Sequence, residues 1–277
     1  MIKIKDLDDV LSIGKYPDGS PAIINDYEKL YMFYEKNGLI EICWFYDNME
    51  EFFTLQIITT HLKDHGMENL ILNLPYCPNA RMDRSKSDND VLSMKYFGKL
   101  INNLGFGIVR ILDPHSATVE NTIDRVEIYS PLKLIERTIE DLGNIDLLFY
   151  PDHGSESRYS PIHKDLNLPY LSGYKQRDWK TGKIEKIQIL GDTSTIKGKN
   201  ILIVDDICSK GGTFLYAAKA LKEYGAADIY LYVTHCEKTI LQGEMINSGL
   251  IKKIYTTNSI YRDNYHPLIE VFNLEEM

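Results

Sequence analysis

Two adjacent acids, Asp205 and Asp206, close the apolar run Ile201-Leu202-Ile203-Val204 and lead into Ile207-Cys208-Ser209-Lys210-Gly211-Gly212-Thr213. Such a string can bind anions and sugars. Neighbouring carboxylates suit vicinal sugar hydroxyls or a bound magnesium ion. Two glycines at a helix start let backbone N–H groups face a phosphate, and the Thr213 hydroxyl adds a donor. The plain alternative is a strand, a solvated acidic turn and a helix start. Other loaded stretches also follow apolar runs: Leu74-Pro75-Tyr76-Cys77-Pro78-Asn79-Ala80-Arg81-Met82-Asp83-Arg84, then Asp113-Pro114-His115-Ser116, then Tyr150-Pro151-Asp152-His153-Gly154-Ser155-Glu156-Ser157-Arg158. Lys175-Gln176-Arg177 sits in a polar stretch, and Tyr16-Pro17-Asp18-Gly19 lies near the start. Taken singly, Arg81 and Arg84 could be surface charges, His115 structural, Asp152 a helix cap, and Lys175 and Arg177 parts of a solvated hairpin.

The elements that must position these residues alternate. Apolar runs at 39–46, 70–74, 108–112, 145–150, 200–204 and 228–233 read as strands. Between them, 49–65 puts Phe52, Phe53, Leu55, Ile58 and Leu62 near one helical face before Gly66. The stretch 89–104 turns Val91, Leu92, Phe97, Leu100 and Ile101 inward before Gly105. Ser130 and Pro131 predict a capped start for a helix running to Gly143, and 212–224 is a further helix. Alternating strands and helices argue for α/β architecture with mainly parallel sheets flanked by helices. In such sheets ligands bind beyond the carboxyl ends of the strands, where nearly all the loaded stretches fall. Residues 172–192, polar and centred on Thr181-Gly182, read as a hairpin or a mobile loop.

A chain of 277 residues predicts two domains, taken as 1–135 and 136–277. With 44% hydrophobic and 26% charged residues it is globular rather than disordered or fibrous. Acids outnumber bases, 40 to 31, which argues against a general nucleic-acid binder. Four scattered cysteines form neither a disulfide framework nor a zinc site, and no stretch approaches a membrane span or a signal peptide. A cytoplasmic protein with buried, reduced thiols, no membrane partner and no nucleic-acid partner is expected.

Together the stretches resemble the ribose-phosphate diphosphokinase (PRPP synthetase) family. Residues 201–213 are similar to its phosphoribosyl-diphosphate motif. Residues 74–84 resemble PYxPYARQDR, 113–116 DLHA, 150–158 PDAGGxKR, 175–177 the basic K-x-R pair of a flexible loop, 16–19 F-x-D-G-E, and Thr234-His235 a TH pair, all in the family's order. The resemblance implies two tandem phosphoribosyltransferase-like domains and a transferase of nucleotide biosynthesis. Mg²⁺-dependent transfer of the β,γ-diphosphoryl group of ATP to the C1 hydroxyl of ribose 5-phosphate would give PRPP and AMP. It implies Lys175 and Arg177 as catalytic. Asp205, Asp206, Ser209, Lys210, Gly211, Gly212 and Thr213 would bind the ribose phosphate, and Asp152, His153, Gly154 and Ser155 the diphosphate. Arg81, Met82, Asp83, Arg84, His115 and Asp18 would bind ATP. His115 and Asp152 are the implied metal ligands, and a homo-oligomer, dimer or higher, is implied.

The departures are informative. Ser209 replaces the third acid of D-D-x-x-D-T-x-G-T and Lys210 its first threonine. Met82 replaces a glutamine, Ser20 a glutamate and Ser155 a glycine. The family's N-terminal strand and helix before Tyr16 are mostly missing. The Lys210 ammonium, flexible where the family has a compact hydroxyl, could follow a phosphate that continues into another group, which admits an extended acceptor such as ADP-ribose and a place in NAD metabolism. A salvage phosphoribosyltransferase would share only 205–213. A non-catalytic regulatory homologue would have lost the basic or the acidic pair, and this chain keeps both.

Overall fold

The computed structural model describes residues 1–85, 87–177, 184–262 and 265–276, with the backbone alone at 164, 177, 184, 185 and 276. The Thr181-Gly182 turn and the Arg177 side chain therefore lie outside the described residues. The chain divides into two compact units, Met1–Ser130 and Pro131–Met277, each with its own apolar core.

In the first unit, β1 (Ile2–Ile4) pairs antiparallel with β4 (Ile40–Trp44), which continues in parallel through β5 (Leu70–Leu74), β6 (Ile108–Leu112) and β7 (Val126–Tyr129). The connections are α2 (Glu50–Asp64), α3 (Ser93–Asn103) and α4 (Thr118–Thr122). A separate hairpin, β2 (Leu11–Lys15) with β3 (Pro21–Asn25), precedes α1 (Tyr27–Asn37). α1 starts at Asp26, whose carboxylate accepts the Lys29 N–H, and stops at Gly38 in the left-handed region (φ 72°).

The periodicity is corrected in three places. Phe53 is exposed, and the buried face of α2 runs through Leu55, Ile58 and Leu62. Val91 and Leu100 also face solvent, and α3 begins at Ser93 instead of 89. The Ser87 N–H donates to the Asp90 carboxylate and the Asp90 N–H to the Ser87 carbonyl, a local turn that competes with an earlier helix start. The cap position of α5 (Leu132–Leu142) falls on Pro131, which makes no side-chain cap bond, one residue later than Ser130, and the helix closes at Gly143 (φ 72°).

The second unit holds a seven-stranded sheet in the order β10-β9-β8-β11-β12-β13-β14. Its strands are β8 (Leu147–Tyr150), β9 (Tyr170–Arg177), β10 (Ile184–Leu190), β11 (Ile201–Cys208), β12 (Ile229–Cys236), β13 (Lys253–Thr257) and β14 (Ile269–Phe272). All neighbours run parallel except β10, which pairs antiparallel with β9. β8 leads through α6 (His153–Tyr159) and α7 (His163–Leu166) to β9, and β11 through α8 (Gly212–Glu223) to β12. Buried on both faces, β8 and the first half of β11 (Ile201 to Val204) read as unbroken apolar runs, as central parallel strands must. The described part of 172–192 consists of strand residues of β9 and β10, paired antiparallel, followed by residues up to Asp192.

Both units are thus mainly parallel sheets with helical crossovers, the α/β fold class the sequence implies. Among the described residues no helix is long and apolar enough to cross a membrane, and all four cysteines are buried thiols outside any disulfide.

Candidate active site

In the first unit, β5 and β6 run parallel, so residues 75–84 and 113–116 leave the same edge of the sheet. The Leu112 N–H donates to the Pro75 carbonyl (3.3 Å) and the Thr118 hydroxyl to the Asp83 carbonyl (3.4 Å), joining the two loops. Burial works to raise the Asp83 carboxyl. Hydrogen bonds from Ser116 and Arg84, with the Arg84 charge, outweigh it and leave it below the ordinary range. Asp83 is thereby brought beside the residue next to His115, itself half-buried. Arg84 pairs with Asp83 (3.3 Å) yet is 80% exposed, and Arg81 and Met82 are also exposed. Asp18 lies in the β2–β3 turn, where its carboxylate accepts the Ser20 hydroxyl (2.6 Å) and N–H (3.0 Å), local turn bonds that favour the ionised form and lower its pKa.

In the second unit, the crossover from β8 turns to one side of the sheet and that from β11 to the other. The order reverses between these two strands, and such a switch point opens a crevice at their carboxyl ends. Residues 151–155 and 209–213 are its two lips. Asp205 and Asp206 do not form a solvated turn: β11 continues through them, and they are 9% and 2% exposed. Asp152 caps α6, its Oδ1 accepting the Ser155 N–H (2.9 Å) while the Ser155 hydroxyl accepts the Asp152 N–H (3.2 Å). The cap does not exhaust it, because Oδ2 accepts from Lys175 Nζ at 2.5 Å. Lys175 reaches Asp152 because Ser172 of β9 pairs with Tyr150 at the end of β8, so Lys175 stands beyond that end. His153 is the outlier, its ring 91% exposed and near Glu156 (3.7 Å). On the other lip Gly211, at φ 77°, begins α8, and it offers no side chain to the helix's first N–H groups. Ser209 and Thr213 are half-buried, while Gly212 and the Lys210 side chain are exposed.

The crevice is electrostatically loaded. Burial, then the charges of Asp206 and Asp152, hold the Asp205 carboxyl well above the ordinary range, and its Oδ1 accepts the Asp206 N–H (2.9 Å). Burial also pushes Asp152 upward, but the Lys175 ammonium beside it wins and lowers it. The donors are hard oxygens, and no group of three or more His, Cys, Asp or Glu side chains among the described residues could hold a metal alone. That donor set fits Mg²⁺, which takes one or two carboxylates and completes its shell with phosphate oxygens and water.

The sequence pattern leaves one charged residue of the crevice without a role. Arg158, at the end of the 150–158 string, brings Nη1 within 3.0 Å of Asp206 Oδ1. Its sign was the signal: a cation one and a half turns along the helix that Asp152 caps can reach the neighbouring strand. His235 is buried, its Nδ1 2.8 Å from the Ser259 hydroxyl, and forms part of a polar network at the carboxyl ends of β12 and β13.

A phosphoribosyl transferase domain model matches residues 132–250, the stretch that contains the crevice. Fold and crevice together define a protein of the phosphoribosyltransferase type. The chain is 30% identical over 234 residues to the ribose-phosphate pyrophosphokinase of Mycoplasma pneumoniae, covering 79% of this chain and 69% of that one. It is 30% identical over 210 residues to that of Bradyrhizobium diazoefficiens (74% and 65%) and 29% identical over 218 residues to that of Sulfurisphaera tokodaii (77% and 73%). The phosphoribosylpyrophosphate synthetase of Mycobacterium smegmatis superposes with a TM-score of 0.75 at 18% identity, over 96% of this chain and 86% of that one, a likeness of fold. The chain belongs to the ribose-phosphate pyrophosphokinase family. It spans just under two thirds of the length of the Bradyrhizobium protein.

Proposed function

We propose that the chain transfers the β,γ-diphosphoryl group of ATP to the C1 hydroxyl of ribose 5-phosphate. The C1 oxygen attacks the β-phosphorus, the bond from that phosphorus to the α,β-bridging oxygen breaks, AMP leaves with that oxygen, and the hydroxyl proton is released. The observation that carries the reading is the crevice between β8 and β11, where Lys175 and Asp152 meet and Asp205 and Asp206 are buried beside them. Phosphoryl-type transfer needs positioning and charge neutralisation more than covalent help. Lys175 and Arg177 would neutralise charge growing on the transferring group. Asp205 and Asp206 would hold the ribose 2- and 3-hydroxyls, and Ser209 to Thr213 the 5-phosphate. Asp152, Gly154 and Ser155 would cradle the diphosphate, with His153 contributing its backbone. Arg81, Met82, Asp83, Arg84, His115 and Asp18 would bind ATP. Mg²⁺ would supply charge neutralisation when bound, and the residues that would ligate it are His115 in the first unit and Asp152 in the second.

The exposed Lys210 side chain at the rim of the phosphate lip favours one second reading, the same transfer to an acceptor extended beyond its 5-phosphate, such as ADP-ribose. One experiment tests both. The chain is incubated with ATP, Mg²⁺ and either acceptor, and products are identified by mass. AMP should appear one-to-one with an acceptor heavier by a diphosphoryl group. ADP or free phosphate as the only stoichiometric product with both acceptors overturns the proposal, and the ratio of kcat/KM values chooses the acceptor.

A further inference from the structure

Behind the phosphate lip runs the connection from β12 to β13, two short 3₁₀ turns, Lys238–Gln242 and Met245–Asn247. It touches the lip at three successive points. The Glu237 N–H donates to the Cys208 carbonyl (2.8 Å). A Cβ on Gly243 would stand 1.9 Å from the Lys210 carbonyl oxygen, 2.8 Å from its carbon and 3.2 Å from its Cα. A Cβ on Gly211 would meet the Met245 side chain, with Sδ and Cε at 2.7 Å.

Gly243 is not demanded by its backbone. Its φ of −84° and ψ of 156° are open to any residue. Only space explains it: the Lys210 carbonyl occupies the volume a side chain would fill. The oxygen is the nearest atom and the carbon lies farther, so this C=O is aimed at Gly243. In a planar trans peptide the C=O and the following N–H point opposite ways. Seating the Lys210 carbonyl against Gly243 therefore turns the Gly211 N–H away from the connection. The backing is firm, because the Gly243 N–H bonds the carbonyl of fully buried Ile240 (3.0 Å) and Met245 is itself buried.

We infer that Gly243 is a positioning residue for acceptor binding: it seats the Lys210–Gly211 peptide so that the Gly211 N–H faces the acceptor's phosphate, with Met245 closing the seat behind Gly211. This rests on the reading of 209–213 as the phosphate lip. Any side chain at 243 must part from the Lys210 oxygen from 1.9 Å to at least 3.0 Å, and a displacement of that size at a binding group is enough to lose its bond.

The test is Gly243→Ala in the full chain, with KM measured separately for acceptor and ATP, and ribose 5-phosphate binding followed by calorimetry without ATP. Losing one N–H donor to an anionic phosphate should raise the acceptor KM and its dissociation constant about 10- to 100-fold. The ATP KM and the kcat at saturating acceptor should change less than about threefold. A residue that merely supports the fold would lower the amount of active protein and leave both KM values unmoved. Should Gly243→Ala not fold, Met245→Ala, which adds no clash, should raise the acceptor KM alone by about 3- to 10-fold. An unchanged acceptor KM in whichever variant folds overturns the inference. Wild-type protein that neither binds nor turns over a 5-phosphoribosyl compound overturns the phosphate-lip reading first, and the inference with it.

Discussion

Replacing Asp205 by Asn should make the ligand-free protein more stable at neutral pH, although the proposed function puts this residue on the sugar. In the folded chain, burial and the charges of Asp206 and Asp152 raise its carboxyl well above the ordinary 3.8. Between that ordinary value and the raised one, the folded chain keeps a proton that the unfolded chain has released. The native state then binds more protons, so stability falls as pH rises through this window and stays lowered above it. Each pH unit inside the window costs ~1.4 kcal/mol. Asn has the same shape and no charge, and its Oδ1 can still accept the Asp206 N–H, now at 2.9 Å. The stability difference between variant and wild type should therefore be near zero at about pH 4, grow by up to ~1.4 kcal/mol per pH unit, and then level off. For a unit of about 150 residues each kcal/mol moves Tm by ~2–4 °C, so one pH unit inside the window is measurable. Thermal unfolding of both proteins from pH 4 to 8, with chelator and no nucleotide, reads it directly. Asp152, which titrates in the opposite sense, is common to both proteins and largely cancels. A difference that is flat across the range, or that shrinks as pH rises, would refute this account of the crevice.

Lys175→Met should lower kcat about 10²–10³-fold with little change in acceptor KM, because the cation is used as charge develops; steady-state kinetics with varied acceptor checks it. The same change removes what lowers Asp152, so the stability that wild type holds at neutral pH and loses as pH falls through the lowered Asp152 value should be reduced, as acid titration of Tm will tell. Arg158→Met takes the cation from Asp206, which is nearly buried, and should cost about 1–3 kcal/mol; the guanidinium is 24% exposed, which puts the loss below that of a fully buried pair. Equal urea midpoints for Arg158→Met and wild type would contradict it. Lys210→Thr should lower kcat/KM for ADP-ribose while sparing ribose 5-phosphate if the ammonium serves an extended acceptor, and side-by-side kinetics reads the ratio.

What could be read in the sequence follows from what each segment buries. The central strands stood out because parallel strands covered on both faces need unbroken apolar runs, as in Leu147–Tyr150 and the first half of Ile201–Cys208. The hairpin β2–β3 and helix α1 gave no such signal: Ile13, Ile24, Tyr27, Tyr31 and Met32 are exposed, so apolar residues there mark no buried face. At the crevice, residue types revealed which groups could do chemistry but not their state. Asp205 and Asp206 look alike in sequence, yet one is pushed toward its neutral form and the other sits against Arg158, a difference made by strand burial and by a helix that starts fifty residues earlier. Gly243 lies deeper still. Its backbone is ordinary, no turn signal marks it, and its partner is a carbonyl oxygen thirty-three positions away. A glycine that serves by leaving room is legible only once the group that takes the room has been located, and here that group is the Lys210–Gly211 peptide of the 209–213 lip.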